Sequence, residues 1–574
     1  MVTPTSSRRG RFLAAALGLL IACTTVDTPE DGRASPAAAL ESFISAWQRG
    51  DAPEMVEHFS PASPWTARRV RALIGEVQTS GAITDYEIDW HPADLARDAD
   101  RVEIDYSITY TSDAAADEVQ MDGSLPVEYS DGSERWEIVW GRSLMWPGVD
   151  GATGFTVTTK YPQRARIFDR AGRTLAAGAA SDRRYPFGGA AGTTIGHIEP
   201  LAKRDIEEGD AGEPGDLVGG SGIEEAFEDR LAGRPATKLL IVNARGRVLE
   251  TLGRRPARPG KPVRTTLDVR VQQAAAAAYG ATTGGAVVLD PRTGDILAAV
   301  ASSPFDPGNY VGVAGIEPFN RALSGLYPPG SAMKVMTAAA ALETGEVRPA
   351  TQLTGPAEYK GVRNFESGAF GTLSFASALQ NSVNTAFAQV AEMLGPRRLT
   401  RFARAFGFNR RPAMPLAAAR SSFPFPADEG DLLWSSIGQA QTLASPLQMA
   451  SIAATIANGG MRMEPRISLG AERTGERVVS KKTAATMTTL MESVVQGGTG
   501  VGAAISDVRV AGKTGTAEVD VGGERLNHAW FICFAPAGAP KVAVAVVAEY
   551  GGVGGRVAAP LARAILTRVL PLIR

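Results

Sequence analysis

The sequence is poor in the residues that build metal sites and disulfide frameworks. Its 574 residues include two cysteines, Cys23 and Cys533, and four scattered histidines without HExxH spacing. Two cysteines are too few for a disulfide framework or a cysteine zinc site. We therefore expect no metal ion, no cofactor and no disulfide within the chain.

The sequence also lacks an excess of charge of either sign. It has 59 lysines and arginines against 61 aspartates and glutamates, a net charge of −2. This balance gives no strong electrostatic case for a nucleic-acid partner. The hydrophobic fraction of 44% is enough for several cores, and the length predicts three or four domains.

Long apolar runs are absent except near the start. Arg8, Arg9 and Arg11 precede an apolar run over 12–22, whose 11 residues are fewer than the roughly 20 that cross a bilayer. A basic segment followed by a short apolar run is typical of a signal peptide. A weak twin-arginine match leaves the export route open.

The apolar run ends at Cys23 in the sequence Leu-Ile-Ala-Cys. This resembles the bacterial lipobox, in which the cysteine is lipidated and the chain is cleaved before it. We predict a lipoprotein signal peptide over 1–22, lipidation of Cys23 and a tether over 23–34. An ordinary secretory signal that contains a cysteine is the alternative.

Residues 35–150 are predicted to form a small α+β module. One predicted helix carries apolar residues with the spacing of a single helical face: Leu40, Phe43, Ile44 and Trp47. Apolar and polar residues then alternate over 102–110, and a further strand is predicted over 135–140. Helices first and strands later indicate an α+β fold.

The rest of the chain divides at a change of composition. Residues 151–265 are rich in turn signals and are predicted to form an extended linker of short strands. Residues 266–574 begin with a predicted helix over 269–279 and end with one over 558–572. Between them lie predicted strands at both ends of the domain, which indicates one sheet flanked by helices.

Ser331 and Lys334 form the first motif whose residue types suit catalysis. They are three residues apart near the start of a predicted helix, so their side chains share one face. A serine hydroxyl is a weak nucleophile until a base takes its proton. A desolvated lysine, or one beside other positive charge, has a lowered pKa and can be that base.

Two more motifs follow in the same domain. Ser382 and Asn384 are two residues apart and can point into one cleft from a loop. The run Lys513-Thr514-Gly515-Thr516 is predicted to lie on a strand, where its lysine and threonines can hold a carboxylate and its glycine allows close backbone approach. Each motif alone is weak, but their order within one domain is much more specific.

Two further residues in this domain also have plain structural interpretations. Cys533 lies within an apolar strand and is predicted to be a buried core thiol rather than a reactive one. His528 precedes that strand, where it either lines the cleft or forms hydrogen bonds at the surface.

The chain resembles a class B penicillin-binding protein over almost its whole length. Besides the three motifs, the resemblance rests on short landmarks along the chain: 166–172, 220–224, 265–268, Ile437-Gly438-Gln439, Gly498-Thr499-Gly500 and His528-Ala529-Trp530-Phe531. The stretch from Trp136 to Gly148 is similar to the methicillin-resistance type, which carries a nuclear-transport-factor-like (MecA-like) module. A lipobox in place of the usual transmembrane helix resembles the penicillin-binding lipoproteins.

The resemblance implies a multidomain α+β architecture. The nuclear-transport-factor-like module would span 35–150, a β-rich dimerisation or linker domain 151–265, and a β-lactamase-like serine transpeptidase domain 266–574, with an antiparallel sheet flanked by helices. It also implies a location at the outer face of the bacterial cell membrane, held there by the lipid anchor.

The same resemblance implies an activity and a role for each motif residue. Ser331 would attack the penultimate D-alanine of a peptidoglycan stem peptide, Lys334 would be the base, and Ser382 would relay a proton to the leaving amine. Asn384 would hold the substrate amide, and Lys513, Thr514 and Thr516 the terminal carboxylate, with Gly515 between them. The backbone N–H groups of Ser331 and Thr516 would form the oxyanion hole.

The expected ligands are stem peptides ending in D-Ala-D-Ala and β-lactams, which would acylate Ser331. A glycosyltransferase or division or elongation proteins are the expected protein partners. The methicillin-resistance-type module implies slow acylation by β-lactams. A D,D-carboxypeptidase or β-lactamase, and a mainly scaffolding cell-wall protein, are the alternatives, and the residues leave open which lysine is the base at each step.

Overall fold

The structure is a computed structural model that describes residues 36–90, 99–203, 214–302, 306–309 and 319–573. The predicted signal peptide, Cys23 and the tether lie outside the described residues. Two compact units are present. The first contains the described residues up to Thr159 together with Ala236–Pro256, and the second contains Lys160–Pro235 and the chain from Ala257 onward.

The first unit begins with three helices, Pro36–Gln48, Ala52–Glu57 and Ala67–Ser80. The predicted apolar face of the first helix is confirmed, because its four predicted residues are all buried. The third helix begins where the Thr66 side chain accepts a hydrogen bond from the backbone N–H of Arg69, which satisfies one free donor of its first turn.

A four-stranded antiparallel sheet follows the three helices. Its strands pair in chain order and are Ile83–Trp90, Arg101–Ser112, Val119–Ser130 and Arg135–Ile138. The predicted alternation is confirmed in the second strand, where Ile104, Tyr106, Ile108 and Tyr110 are buried. They pack with the helices in one core, so the predicted α+β module is present.

A second, three-stranded sheet completes the first unit. It joins Gly154–Lys160 to the hairpin Ala236–Val242 and Val248–Arg255, and Phe155, Leu239 and Ile241 belong to the same core as the helices. The predicted boundaries at 150 and 265 therefore differ from the division into compact units. Part of the predicted linker returns to pack with the first unit.

The rest of the predicted linker belongs to the second unit and contains short elements. They are the strands Ile167–Phe168, Thr174–Ala176, Ile198–Pro200, Leu217–Gly219 and Val263–Arg264, and the helices Gly188–Ile195, Gly222–Ala226 and Glu228–Ala232. Glu224 ties them together, because its buried carboxylate accepts from both Arg164 and Arg183 at 2.8 and 2.7 Å. Burial of these charges is tolerable because each is paired.

A five-stranded antiparallel sheet is the centre of the second unit. Its strands, in spatial order, are Ile296–Ala301, Gly284–Leu289, Val542–Ala548, Glu524–Ala535 and Ala511–Val521. Gly284–Leu289 and Val542–Ala548 are entirely apolar and buried, and Glu524–Ala535 is apolar and buried from Ala529 onward, as expected for a sheet that is covered on both faces.

Helices cover both faces of this sheet and create two cores. Val288, Phe531 and Val546 face the core that includes the helices Val269–Tyr279 and Ala558–Val569. Their neighbours Val287, Ile532 and Val547 face the other core, which includes the helices Lys334–Thr344 and Pro446–Ala457. The predicted sheet flanked by helices is therefore present.

The remaining elements surround the second core. The helices are Arg321–Ser324, Phe375–Gln380, Asn384–Ala405, Glu429–Ser436 and Lys481–Gly497, and the strands are Gln352–Gly355, Glu358–Tyr359, Val362–Arg363, Gly371–Ser374, Met461–Met463 and Gly475–Arg477. None of the helices within the described residues is both long and apolar enough to cross a bilayer.

Candidate active site

The structure brings the three sequence motifs to one place. Ser331 lies in the 3₁₀ turn Gly330–Met333, which leads into the helix Lys334–Thr344. The predicted helix is therefore α-helical only from Lys334, three residues after Ser331. Side chains at i and i+3 eclipse in a 3₁₀ turn, and this brings the Lys334 amine to 3.0 Å from Ser331 Oγ.

The Lys334 amine is fully buried among oxygen atoms. Besides Ser331 Oγ, it lies 2.6 Å from the Ser382 carbonyl oxygen and 2.5 Å from Asn384 Oδ1. The carbonyl and amide oxygens can only accept. A neutral amine has two N–H groups and one lone pair, so these two acceptors use its hydrogens and leave the lone pair for the Ser331 hydroxyl.

Burial and a neighbouring charge favour this neutral form. Complete burial lowers the pKa of Lys334 well below its usual value, and the nearby Lys513 lowers it further. Burial also lowers the pKa of Lys513 to about 7. Lys513 is therefore able to lose or keep a proton near neutral pH, while the neutral form of Lys334 is favoured by its burial and by its charged neighbour.

Ser382 connects the two lysines from a strained backbone position. Its φ of 60° is unusual for a residue with a side chain. In this conformation its carbonyl accepts from Lys334, while its hydroxyl accepts from the Lys513 amine at 2.8 Å and lies 3.3 Å from the Lys334 amine. Strained backbone conformations of this kind are found mainly at functional sites, where the surrounding contacts hold them in place.

Asn384 occupies the first position of the helix Asn384–Ala405, and both ends of its side-chain amide are used. Oδ1 accepts from Lys334, while Nδ2 donates to the Arg363 carbonyl oxygen at 2.8 Å. The second contact fixes the orientation of the amide, because only the NH₂ group can donate to a carbonyl. The predicted loop therefore holds Ser382 but not Asn384.

Lys513–Thr516 lie on the strand Ala511–Val521, as predicted. Two glycines let this strand approach the serine turn backbone to backbone. A Cβ on Gly515 would lie 2.7 Å from the Pro329 carbonyl oxygen, and one on Gly330 would lie 2.7 Å from the Thr516 carbonyl oxygen. The serine turn and the strand around Thr516 are thereby in close backbone contact.

Hydroxyl groups line the strand side of the site. Thr514 Oγ1 and Thr499 Oγ1 are hydrogen bonded at 2.6 Å, and the backbone N–H of Gly554 donates to Thr516 Oγ1 at 3.2 Å. Sequence reasoning did not assign Thr499 to the site. Its place in Gly498-Thr499-Gly500 was the available signal, because glycines on both sides mark a close approach.

These side chains open onto a cleft of about 950 Å³. Ser331, Ser382, Asn384, Thr514 and Thr516 all line it. Further walls are contributed by residues that the sequence did not single out: Arg363, Phe370, Trp434, Thr499 and Arg556. Phe370 is 43% exposed and presents an apolar surface to the cleft.

His528 and Cys533 do not line this cleft. His528 is 5% exposed, its Nδ1 accepts from the Tyr550 backbone N–H, and its ring packs against Tyr327 and Tyr550. It is therefore neither a cleft residue nor a surface residue. Cys533 is a buried core residue, as predicted, and burial raises the pKa of its thiol. No group of three potential metal ligands occurs within the described ranges.

Comparison with known proteins places this geometry in a family. The family model for the penicillin-binding protein transpeptidase domain matches 284–567, and the model for the penicillin-binding protein dimerisation domain matches 177–265. The peptidoglycan D,D-transpeptidase PbpA of Mycolicibacterium smegmatis is 39% identical over 360 residues, which is 54% of this chain and 73% of the relative. The chain belongs to the class B penicillin-binding proteins.

Other class B penicillin-binding proteins show the same relationship over more of the chain. The peptidoglycan D,D-transpeptidase MrdA of Escherichia coli K12 is 29% identical over 452 residues, 68% of this chain and 71% of the relative. The solved penicillin-binding protein A of M. tuberculosis, a ceftriaxone acyl-enzyme complex, is 32% identical with a TM-score of 0.59 and covers 71% of this chain and 98% of its own.

Proposed function

We propose that this penicillin-binding protein is a peptidoglycan D,D-transpeptidase that works through an acyl-enzyme on Ser331. The observation that carries the proposal is the fully buried Lys334 amine, 3.0 Å from Ser331 Oγ, whose other close partners are acceptors. A lone pair directed at a serine hydroxyl is what general-base activation of that hydroxyl requires.

In the acylation step, Ser331 Oγ attacks the carbonyl carbon of the penultimate D-alanine while its proton moves to Lys334. The close approach of the serine turn to the strand supports an oxyanion hole formed by the backbone N–H groups of Ser331 and Thr516. The bond to the last D-alanine then breaks while Ser382 gives its proton to the leaving amine and takes from Lys334 the proton that came from Ser331. An amine of a second stem peptide attacks the ester and releases Ser331.

Recognition of the substrate is assigned to the strand side. Lys513 with Thr514 and Thr516 would hold the terminal carboxylate, and the Thr499–Thr514 hydroxyl pair supports adding Thr499 to this group. Asn384 would hold the substrate amide, although in the unliganded site its Oδ1 is occupied by Lys334. β-Lactams, which mimic the D-Ala-D-Ala end, would acylate the same serine.

We also propose the finer features of the chain. The order of three helices and then a four-stranded antiparallel sheet supports a nuclear-transport-factor-like module in the first unit. By analogy at the level of the fold alone, this module supports slow acylation by β-lactams and a role in resistance. The lipobox-like sequence supports anchoring through Cys23 at the outer face of the membrane, close to a glycosyltransferase or other cell-wall partners.

A fluorescent penicillin tests the central proposal. The wild-type protein should become labelled, and mass analysis of the labelled peptide should place the adduct on Ser331. Ser331→Ala should not be labelled, while Ser324→Ala, a change at a nearby serine whose hydroxyl donates to the Ala417 carbonyl oxygen, should be labelled normally. Labelling that survives in Ser331→Ala would contradict the assignment.

The amine-transfer step needs its own test. Incubation with a stem-peptide thioester and a D-amino acid acceptor should yield the transfer product rather than the hydrolysed acid. Rapid turnover of penicillin, or release of acid alone, would instead indicate a hydrolase. Lipidation of Cys23 is tested by mass analysis of the membrane-bound protein and of Cys23→Ala.

A further inference from the structure

A second concave surface lies in the same unit as the active site and shares no lining residue with it. It is a groove of about 960 Å³. One wall is the part of the helix Asn384–Ala405 that follows a break at Gly395-Pro396, and the other wall is the segment 420–425. We call this surface the arginine groove.

Five arginines line the arginine groove, and they are Arg397, Arg401, Arg404, Arg410 and Arg420. The surrounding sequence also carries charge of one sign only, since residues 393–427 contain seven arginines and no aspartate, glutamate or lysine. This contrasts with the balanced charge of the whole chain. The first three groove arginines are spaced i, i+4 and i+7, so they share one helical face.

Only one acid belongs to the groove. Glu476 pairs with Arg410 at 2.9 Å and with Arg462 at 3.3 Å. Arg397, Arg401, Arg404 and Arg420 have no acidic partner within the described part of the chain. By contrast Arg398, next to Arg397 in sequence but outside the groove, is ion-paired with Glu346.

A favourable interaction with the helix dipole does not account for this arrangement. It would stabilise Arg404 in the last helical turn, but a positive charge at Arg397, which follows the break at Gly395-Pro396, lies at the unfavourable end of its helical segment. Arg420 belongs to the opposite wall. Four guanidinium groups without an acidic partner in the described residues repel one another around one cavity, and an anion bound between them would offset this repulsion.

The groove is also held in a defined shape. Asn409, with a φ of 60°, accepts through Oδ1 from the Phe423 backbone N–H at 2.9 Å and donates through Nδ2 to the Phe423 carbonyl oxygen at 2.6 Å. Its own backbone N–H donates to the Ser421 carbonyl oxygen. The two walls are thus tied together before any ligand binds, which reduces the entropy cost of binding.

We propose that the arginine groove binds a linear phosphodiester chain through at least two of its phosphates. Guanidinium groups bind phosphates through paired, charge-assisted hydrogen bonds, and several phosphates in one ligand match several unpaired arginines. The arginines line a concavity, which accepts a chain better than it fits the flat surface of a bilayer. Phe425, which is 57% exposed at the groove, offers an apolar contact for the links between phosphates.

Calorimetric titration of the full chain with a synthetic oligo(glycerol phosphate) of about five units tests the proposal. Wild-type protein should bind with one-to-one stoichiometry, and Arg401→Ala and Arg420→Ala should each weaken binding about tenfold or more, as loss of a charge-assisted contact requires. Arg398→Ala, an equal loss of charge on the same helix, should change affinity less than twofold. Raising NaCl from about 50 to 200 mM should weaken binding roughly tenfold.

Several results would overturn the proposal. They are absence of binding by the wild type, an equal loss in Arg398→Ala, or equal binding of an oligoglutamate, which would show that phosphate is not required. Binding of phosphatidylglycerol vesicles without binding of the soluble oligomer would assign the groove to a membrane instead.

The same variants separate this proposal from the proposed function. Melting temperature and fluorescent-penicillin labelling should match the wild type in all of them, because the groove and the cleft share no lining residue. Failure of labelling in the wild type would contradict the transpeptidase assignment but would leave the groove titration interpretable.

Discussion

The Lys513 amine donates to the Ser382 hydroxyl at 2.8 Å, although 131 residues separate them in sequence. The same hydroxyl lies 3.3 Å from the Lys334 amine. Ser382 thus joins two buried lysines in a continuous hydrogen-bonded path from the strand to the serine turn. A proton released by Ser331 can be passed along this path without entering bulk water.

The first prediction concerns the acceptor beside the base. Asn384→Asp would place a carboxylate where Oδ1 now lies, 2.5 Å from the Lys334 amine. A negative charge stabilises the ammonium and so raises the pKa of Lys334. We expect acylation by a fluorescent penicillin at pH 7 to slow about 100-fold or more, and the rising limb of the pH profile to move to higher pH.

Asn381→Asp is the matched control for that change. Asn381 lines the same cleft, but its amide donates to Ser377, whereas the Asn384 amide oxygen accepts from Lys334. It should alter the acylation rate only slightly. An Asn384→Asp protein with the wild-type rate and pH profile would show that Lys334 is not the base.

The second prediction concerns pH. Acylation should rise with pH while Lys334 loses its proton, and fall again as Lys513 loses the charge that holds the substrate carboxylate. Because burial lowers the pKa of Lys513 to about 7, the falling limb should lie near pH 7. Lys513→Arg keeps its charge at any accessible pH, so its falling limb should move to higher pH.

The measurement for this prediction is the second-order acylation rate between about pH 5 and pH 9, in wild type and variant. The melting temperature of each protein over the same range controls for unfolding. A falling limb that stays at the same pH in Lys513→Arg would assign it to another group.

The third prediction tests whether the Thr499 hydroxyl contributes to carboxylate binding. Thr499→Val keeps the shape of the side chain but removes the 2.6 Å hydrogen bond to Thr514 Oγ1. Without this partner Thr514 is held less firmly, and the affinity for the carboxylate of substrate or penicillin should fall about tenfold. Initial rates measured over a range of substrate concentrations should show a higher KM with a nearly unchanged kcat.

Thr489→Val provides the comparison. Its hydroxyl donates only to the Ala485 carbonyl oxygen on an exposed helical surface. A loss of kcat without a change in KM in Thr499→Val would assign that residue to the chemical step rather than to binding.

The fourth prediction concerns backbone approach. In Gly515→Ala the new Cβ would lie 2.7 Å from the Pro329 carbonyl oxygen and 2.9 Å from Trp530 Cβ, so the strand must move away from the serine turn. We expect about 1–3 kcal/mol lower stability and about a 100-fold slower acylation, since small displacements of reacting groups are costly.

Gly538→Ala, in the loop between the strands Glu524–Ala535 and Val542–Ala548 of the same sheet, is the control for this interpretation. A Cβ there would meet only the Arg509 guanidinium, at 3.8 Å. It should leave both the denaturation midpoint and the acylation rate unchanged. Normal acylation by Gly515→Ala would show that the close approach is not required for the oxyanion hole.

The sequence predicted the elements that follow from local patterns. The helix Val269–Tyr279 has the bounds that its pattern predicts, and the large sheet contains strands from both ends of the domain, as expected. The three motifs could be assigned to one site because their residue types and order fit one reaction. The 3₁₀ turn at Ser331 could not be predicted, because it depends on the contact of Gly330 with the distant residue Thr516.

Contacts between distant segments were the main features that the sequence did not reveal. The return of Ala236–Pro256 to the first unit depends on pairing between Ala236–Val242 and Gly154–Lys160, which no local pattern encodes. The same is true of Thr499, whose role depends on a loop folding back onto the strand. His528 was misjudged because the aromatic rings that bury it come from segments far away in sequence.

Side chains alternate between the two faces of the sheet along the strand Glu524–Ala535, so adjacent residues have different structural roles. Trp530 donates through Nε1 to the Pro328 carbonyl oxygen, three residues before the nucleophile, whereas Phe531 faces the core on the other side of the sheet. A defect at Trp530 therefore reaches the serine turn directly, while a defect at Phe531 lowers stability without touching it. The sheet separates the two cores. Substitutions on the Phe531 side can therefore change the stability of the protein while the geometry of the serine turn on the Trp530 side is preserved.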